Sequence, residues 1–365
     1  MKSLNAEAVR HQADHLITAM SAMADRPVRL MEVCGTHTVS IFKAGIRQLL
    51  PEQIELVSGP GCPVCVTPNE YLDTAIAYSR QSDVIITTFG DMLRVPGSTS
   101  SLMTEKARGA DIRIVYSPLD SLAIAKDNPS KKVIFLAVGF ETTAPTAAAT
   151  VLAAEQKGLD NFFVLSAHKL VPPALRTLLE DKITKVDGFL LPGHVSAIIG
   201  EEPYRFLIDE YKVPAVIGGF EPLDILQAVY HLVKQIHEGV PKLENDYRRI
   251  VKPRGNPSAL AVLTKVYSEA DATWRGIGVI PCSGLAVNNQ YRRFDAKQQI
   301  PVTVEPLTEH RGCRCGEVLR GLIKPEACGL FGVVCKPEHP VGACMVSVEG
   351  TCAAWYKYGA GRWQV

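Results

Sequence analysis

The stretch KKVIFLAVGFETTAP (131–145) decides the fold. KKVIFLAV (131–138) is a short β-rich run. It ends in a Gly- and polar-rich motif, GFETTAP, and then gives way to an Ala-rich helical stretch. The same unit recurs on both sides. VRLMEV (28–33), IELVSG (54–59), DVIITTF (83–89) and IRIVYS (112–117) precede it, and NFFVLSA (161–167), VDGFLL (186–191) and VPAVIGG (213–219) follow. Strands spaced by helices imply parallel sheets built from βαβ units. The other strand ends carry CGTHT, GPGCPVC, FGD, SAHK, PGHV and GGFEP, and Gly139-Phe140-Glu141 recurs as Gly219-Phe220-Glu221. We read two similar parallel-sheet α/β halves of four strands each, residues 1–125 and 126–240, facing a cleft. Ligands of open parallel sheets bind outside the carboxyl ends of the strands, so the cleft is the expected site.

From about residue 241 the character changes. KLENDYRRIVKPRGNPSA (242–259) is polar, broken by Pro and Gly, and reads as a linker. The segment 241–365 beyond it is irregular and Gly/Pro/Cys-rich, a smaller domain of the kind that orders around a metal. The whole chain has 365 residues and is 47% hydrophobic, enough for two or three cored domains. With 39 basic and 38 acidic residues, nucleic acid and membrane surface are not expected partners. The start, MKSLNAEAVRHQADHLITAM (1–20), reads as an amphipathic helix with charges inside it and not as a secretory signal. A cytosolic setting is expected, where cysteines serve metal or redox chemistry more often than structural bridges.

The ten cysteines fall into two groups: Cys34, Cys62 and Cys65 near the front, and Cys282, Cys313, Cys315, Cys328, Cys335, Cys344 and Cys352 at the end. Cys62-Pro63-Val64-Cys65 is a Cys-x-x-Cys pair in a tight turn. Thr67-Pro68-Asn69-Glu70 reads as a capping box with Thr67 as N-cap, which puts Cys65 just outside a helix N-terminus, where the dipole favours a thiolate. A redox dithiol is the direct reading; half a zinc site and a plain turn are the alternatives. Cys34 ends a strand, with His37 three residues on and able to deprotonate or hydrogen-bond the thiol; a buried core cysteine is the simpler alternative. Cys–His also permits acyl transfer, but no G-x-S-x-G elbow accompanies it. Asp91, Glu141, His168 and His194 stand at other strand ends. Singly, each reads as a satisfied polar group or a cap, as do Thr142 and Thr143; their shared placement makes them site candidates. His11, His231 and His237 read as surface or packing residues.

At the rear, Cys328, Cys335, Cys344 and Cys352 offer four thiolates with intervals of six, eight and seven residues. That suits a [4Fe–4S] cluster or a Cys₄ zinc site, and the absence of a tight knuckle favours the cluster. Cys313-Arg314-Cys315 supplies a further ligand or a second thiol pair. Cys282 reads as structural. Glu349 faces either the cleft or the surface.

Taken in order, MEVCGTHT (31–38), SGPGCPVCVTP (58–68), GFETTAPT (139–146), PGHVS (192–196), CRCGEVLRG (313–321) and PVGACMVSVEGTC (340–352) resemble the HypD family of hydrogenase maturation factors. The resemblance covers nearly the whole chain. It implies a scaffold, more than a conventional turnover enzyme, on which the Fe(CN)₂CO group of [NiFe]-hydrogenase is assembled. A stable partner, HypC, and a transient cyanide donor, HypE, are implied with it. By the resemblance Cys34 ligates that iron, Cys62 and Cys65 form a redox dithiol, and the rear cysteines hold a [4Fe–4S] cluster that feeds it. His37, Asp91, Glu141 and His194 are then expected to donate protons or hydrogen bonds to the cyanide nitrogens, and Glu349 is counted with them as a site residue. The competing readings are an iron–sulfur disulfide reductase of the ferredoxin:thioredoxin reductase kind and a zinc-stabilised interaction module. A monomer is expected.

Overall fold

The computed structural model describes residues 6–181, 183–307 and 310–359. Eleven strands are present among them: β1 (Val28–Glu32), β2 (Ile54–Ser58), β3 (Val84–Thr88), β4 (Ile112–Ile114), β5 (Lys132–Ala137), β6 (Phe162–Ser166), β7 (Gly188–Pro192), β8 (Ala215–Gly218), β9 (Leu243–Asn245), β10 (Tyr267–Trp274) and β11 (Gly278–Val287). One sheet runs β2-β1-β7-β8-β9 and another β4-β3-β5-β6, every pairing in them parallel. The α/β class with two parallel sheets is therefore as the sequence implied.

The strands are not shared out in chain order. The chain lays down β1 and β2, leaves to build the whole four-stranded sheet with β3 to β6, and returns to complete the first sheet with β7 to β9. The sheets interleave along the chain, in place of the consecutive halves 1–125 and 126–240. Sequence order could not reveal this, because a parallel crossover does not announce which sheet its next strand joins.

The strands are buried on both faces and so nearly continuous in apolar residues. Ile134 and Leu136 of β5 enter one core while Val133, Phe135 and Ala137 enter another across the sheet. In the five-stranded sheet, Leu30, Leu56, Leu190 and Val216 pack under the helices Ala6–Met23 and Pro222–Glu238. Met31, Val57, Phe189 and Ile217 face the opposite core, which also takes in Cys62, Cys65, Cys315, Cys335, Cys344 and Cys352.

The segment after residue 241 is more regular than its composition implied. The stretch read as a linker contributes β9, a helix follows at Pro257–Val266, and β10 and β11 form an antiparallel hairpin. The alternation of Ser268-Glu269-Ala270 with buried Tyr267 and Trp274 is weak, which hid the strand. From residue 310 the chain is indeed irregular, made of turns and helices of one or two turns. No helix among the described residues is long and apolar enough to cross a membrane.

Candidate functional site

Five strand ends converge on one cleft of about 710 Å³. Cys34 after β1, Gly61, Pro63 and Val64 after β2, Asp91 after β3, Thr142 and Thr143 after β5, and His194 after β7 line it, with Glu349 arriving from the irregular segment. The site thus draws on both sheets, outside their carboxyl ends.

Cys34 is the N-cap of the helix Gly35–Lys43, in extended conformation at φ −151° and ψ 126°. Its thiol is buried, and burial first, then the nearby Glu349 carboxylate, push it up to about 11. Hydrogen bonds from the backbone N–H groups of His37 and Thr36 pull the other way. They are the unpaired donors of a helix's first turn, and they aim at an anionic sulfur. Thr36 Oγ1 donates to Glu349 Oε1 at 2.7 Å, which fixes the carboxylate beside the thiol.

The His37 side chain takes no part in that. Its Nε2 lies 2.8 Å from the carbonyl oxygen of Gly219, and its ring stacks on Phe220 at 4.5 Å. Burial lowers it to about 4, so it is neutral at ordinary pH. What meets the Cys34 sulfur is the backbone of His37, and the imidazole spans to β8. Phe220 also stacks on His194 at 3.9 Å, so one phenyl ring separates the two imidazoles. Glu141 is buried and outside the cleft lining. Its Oε1 accepts from the Val171 N–H at 2.8 Å, its Oε2 is unpartnered, and burial raises it to about 7. The repeated Gly-Phe-Glu is not a repeated function, since Glu221 is exposed and caps the helix Pro222–Glu238 together with Asp224. His168 lines a separate cavity of about 280 Å³ with Lys169.

The dithiol turn abuts Cys34. A Cβ on Gly61 would lie 2.6 Å from Cys34 Cα, so only glycine lets the two segments touch. Cys62 and Cys65 are within disulfide distance, their Cα atoms 5.3 Å apart, and both are buried. The turn Pro63–Val66 is itself a one-turn helix with Cys62 as N-cap, its sulfur accepting from the Cys65 N–H at 3.3 Å. Thr67 does not cap the next helix; its hydroxyl donates back to the Pro63 carbonyl at 2.8 Å, and Pro68 precedes the helix Asn69–Ser79. Cys62, and not Cys65, therefore stands at a helix start.

Behind the turn lie the rear cysteines. The thiols of Cys315, Cys344 and Cys352 hydrogen-bond one another, and Cys313 joins through Cys315. The bond with Cys315 lowers Cys313 to about 6, with the Arg275 guanidinium adding to it, while Cys352 is held well up by its bond with Cys315. Cys335 accepts from the Val341 N–H at 3.3 Å. Cys328 is half-buried, its sulfur 3.9 Å from the Gly312 carbonyl. A Cβ on Gly342 would lie 2.5 Å from Cys315 Sγ and 2.7 Å from Cys313 Sγ, so the backbone is cut back where the sulfurs converge. Thiols this close, buried and competing for protons are a donor set for a soft cation. Of the four expected there, Cys335, Cys344 and Cys352 are buried and Cys328 stands at the rim. Cys315, read from sequence as an accessory, sits at the centre. Cys282 is exposed on the hairpin.

Sequence reading missed Thr36, Phe220 and Tyr204, a fully buried tyrosine whose hydroxyl is unpartnered. Thr36 lay within CGTHT and Phe220 within the repeated tripeptide, so both had a signal; Tyr204 had none.

The chain matches the family profile HypD, described as the hydrogenase formation hypA family, over residues 9–359. The hydrogenase maturation factor HypD of Escherichia coli strain K12 is 48% identical over 353 residues, 96% of this chain and 94% of that protein. The protein of the same name from Rhodobacter capsulatus is 46% identical over 366 residues, covering 99% and 96%. That from Cupriavidus necator is 45% identical over 337 residues, covering 90% and 89%.

Proposed function

The chain belongs to the HypD family of hydrogenase maturation factors, and from that premise we propose that it is the scaffold on which the Fe(CN)₂CO group of [NiFe]-hydrogenase is assembled. The observation that carries the reading is the meeting of Cys34, the Cys62–Cys65 turn and the cleft-lining groups of both sheets at one place, with the cysteine cage in the same core. The iron is cargo. Thiolate is the ligand a soft low-spin iron prefers. The two helix-start N–H groups on Cys34 stabilise its anionic sulfur once iron displaces the proton. HypC supplies the second thiolate, and HypE delivers cyanide. His194, exposed in the cleft wall, and Asp91 in the same lining stand where hydrogen bonds to the iron's ligands are needed.

The cage fits a [4Fe–4S] cluster, and its four buried cysteines, Cys315, Cys335, Cys344 and Cys352, would hold it. When bound, such a cluster supplies electrons one at a time. The Cys62–Cys65 pair would take up two electrons and two protons, opening its disulfide to two thiols beside the iron site. Cys34, at the opposite side of Gly61, stays free to hold iron in either state.

The test is restoration of hydrogenase activity in a strain lacking its own family member. The wild-type chain is expected to restore it, and Cys34→Ala, Cys62→Ala and Cys65→Ala are each expected to fail while accumulating as folded protein. Full restoration by Cys34→Ala would overturn the scaffold reading. Failure of Cys62→Ala and Cys65→Ala alone would favour a disulfide reductase.

A further inference from the structure

We propose that Arg275 is the positioning residue that couples the Cys62–Cys65 turn to the cysteine cage, its unpaired Nη2 left to donate a hydrogen bond to the iron–sulfur group that the cage would hold. The inference rests on reading the cage as an iron–sulfur site and adds a residue that the family motifs quoted above do not contain.

Arg275 sits at the tip of the β10–β11 hairpin, far in sequence from Cys62 and Cys65 and from the cage cysteines. Its backbone N–H donates to the Val66 carbonyl at 2.8 Å, and its Nε donates to the Thr67 carbonyl at 2.9 Å. Those two carbonyls end the dithiol turn, so one residue grips that turn twice. The next residue grips the other side: a Cβ on Gly276 would collide with Gly316 Cα, so the hairpin tip lies backbone to backbone on the Cys315–Gly316 segment. The hairpin is thereby a clamp across the two thiol groups.

The guanidinium has one donor left over. Arg275 Nη2 is buried and has no hydrogen-bond partner among the described residues. Arg275 lines a cavity of about 360 Å³ with Cys313, Cys315 and Gly342. Trp274, which precedes it, is buried in the same core as Cys65 and Cys344 and donates its indole N–H to Ser283 Oγ at 2.8 Å, so the tip is rigid. A buried positive donor lining the same cavity as Cys313 and Cys315 has a specific consequence. Hydrogen bonds and charge at the sulfurs set the potential of an iron–sulfur centre, and a cation there favours the state with the extra electron. Arg275 therefore makes the cage easier to reduce and holds the disulfide where it can receive the electrons.

The experiment uses full-length protein isolated without oxygen as wild type, Arg275→Met and Arg275→Lys. Iron and acid-labile sulfide are assayed first. Dithionite reduction is then followed by electron paramagnetic resonance. The Met variant is expected to keep its iron and to need a more negative potential, its reduction equilibrium constant smaller by roughly tenfold, the factor for one charge-assisted hydrogen bond. Lysine keeps the charge and is expected to recover most of the loss. An unshifted Met variant, or equal shifts in Met and Lys, overturns the proposal. Wild-type protein without iron overturns the cluster reading and leaves this one to a second measurement. That measurement, which also decides if the Met variant loses its iron, is the equilibrium of Cys62–Cys65 with glutathione, which donates the two electrons and two protons, read by alkylation and mass. A roughly tenfold shift toward the disulfide in Met, recovered in Lys, supports the clamp, and no shift overturns it.

Discussion

Cys34 owes its properties to three neighbours that no single motif contains. Gly61 lets the dithiol segment touch it, Thr36 holds Glu349 beside it, and the start of its own helix offers N–H groups to its sulfur. Gly61→Ala is accordingly expected to displace the Cys34 backbone, at a cost of about 1–3 kcal/mol for overpacking, and to abolish maturation even where the protein stays folded. Thermal unfolding beside the activity assay separates the two effects. Glu141 is the other residue whose environment has a measurable sign. The folded protein keeps its proton up to about pH 7, whereas the ordinary value is 4.5. Its contribution to stability is therefore complete below about pH 4.5 and is lost as pH rises to about 7, a loss of order 3 kcal/mol. Glu141→Gln can still accept from the Val171 N–H through its amide oxygen. It is expected to flatten the pH dependence of unfolding across that window and to raise stability above it; an unchanged profile would contradict the raised value. At this scale the sequence revealed the site residues as types at strand ends. It could not reveal that the His37 side chain turns away from Cys34 while its backbone turns toward it, because both follow from where the fold places Gly219 and Phe220 after β8.

Between residues and the whole, the elements that matter are the short helix after β1, the dithiol turn and the last helix, Thr351–Tyr358. The last helix packs on Gly35–Lys43 and so delivers Glu349 to Thr36. One buried ion pair ties this corner to the sheet. Arg47 bonds Glu32 at 2.6 Å, with the Glu32 side chain 0% exposed, while its guanidinium lies over the rings of Phe42 and Trp355. Ser58 donates to the same carboxylate oxygen at 2.8 Å. Removing Arg47 leaves a buried charge without its partner, so Arg47→Met is expected to cost about 3–5 kcal/mol in denaturant unfolding. The double change with Glu32→Gln should cost less than the single one; equal costs would show that the pair does not interact. The capping box read from Thr67-Pro68-Asn69-Glu70 failed here for a physical reason. Pro63 and Pro68 both favour helix starts, and the earlier one took Thr67 as the end of its own turn.

For the whole molecule, the parallel-sheet class and the cleft at the strand ends were legible because buried parallel strands and their polar carboxyl ends are written locally. The partition of strands between sheets was not, since β1 pairs with β7 and the whole four-stranded sheet lies between them in the chain. A consequence is testable on fragments. Residues 1–125 contain β1 and β2 without β7, and β3 and β4 without β5, so the fragment is expected to show no cooperative unfolding by circular dichroism; a sharp transition would contradict the interleaved topology. The same interleaving gives the cleft its character, since the five-stranded sheet is completed only after the chain has built the other, and Cys34, Asp91 and His194 are brought together only by the completed fold.

The central claim is that Cys34 holds an iron carrying cyanide and carbon monoxide. It is tested most directly by infrared spectroscopy of the protein isolated without oxygen together with HypC. The account predicts CN and CO stretching bands in the wild type and their loss in Cys34→Ala. Bands that persist undiminished in Cys34→Ala would contradict it.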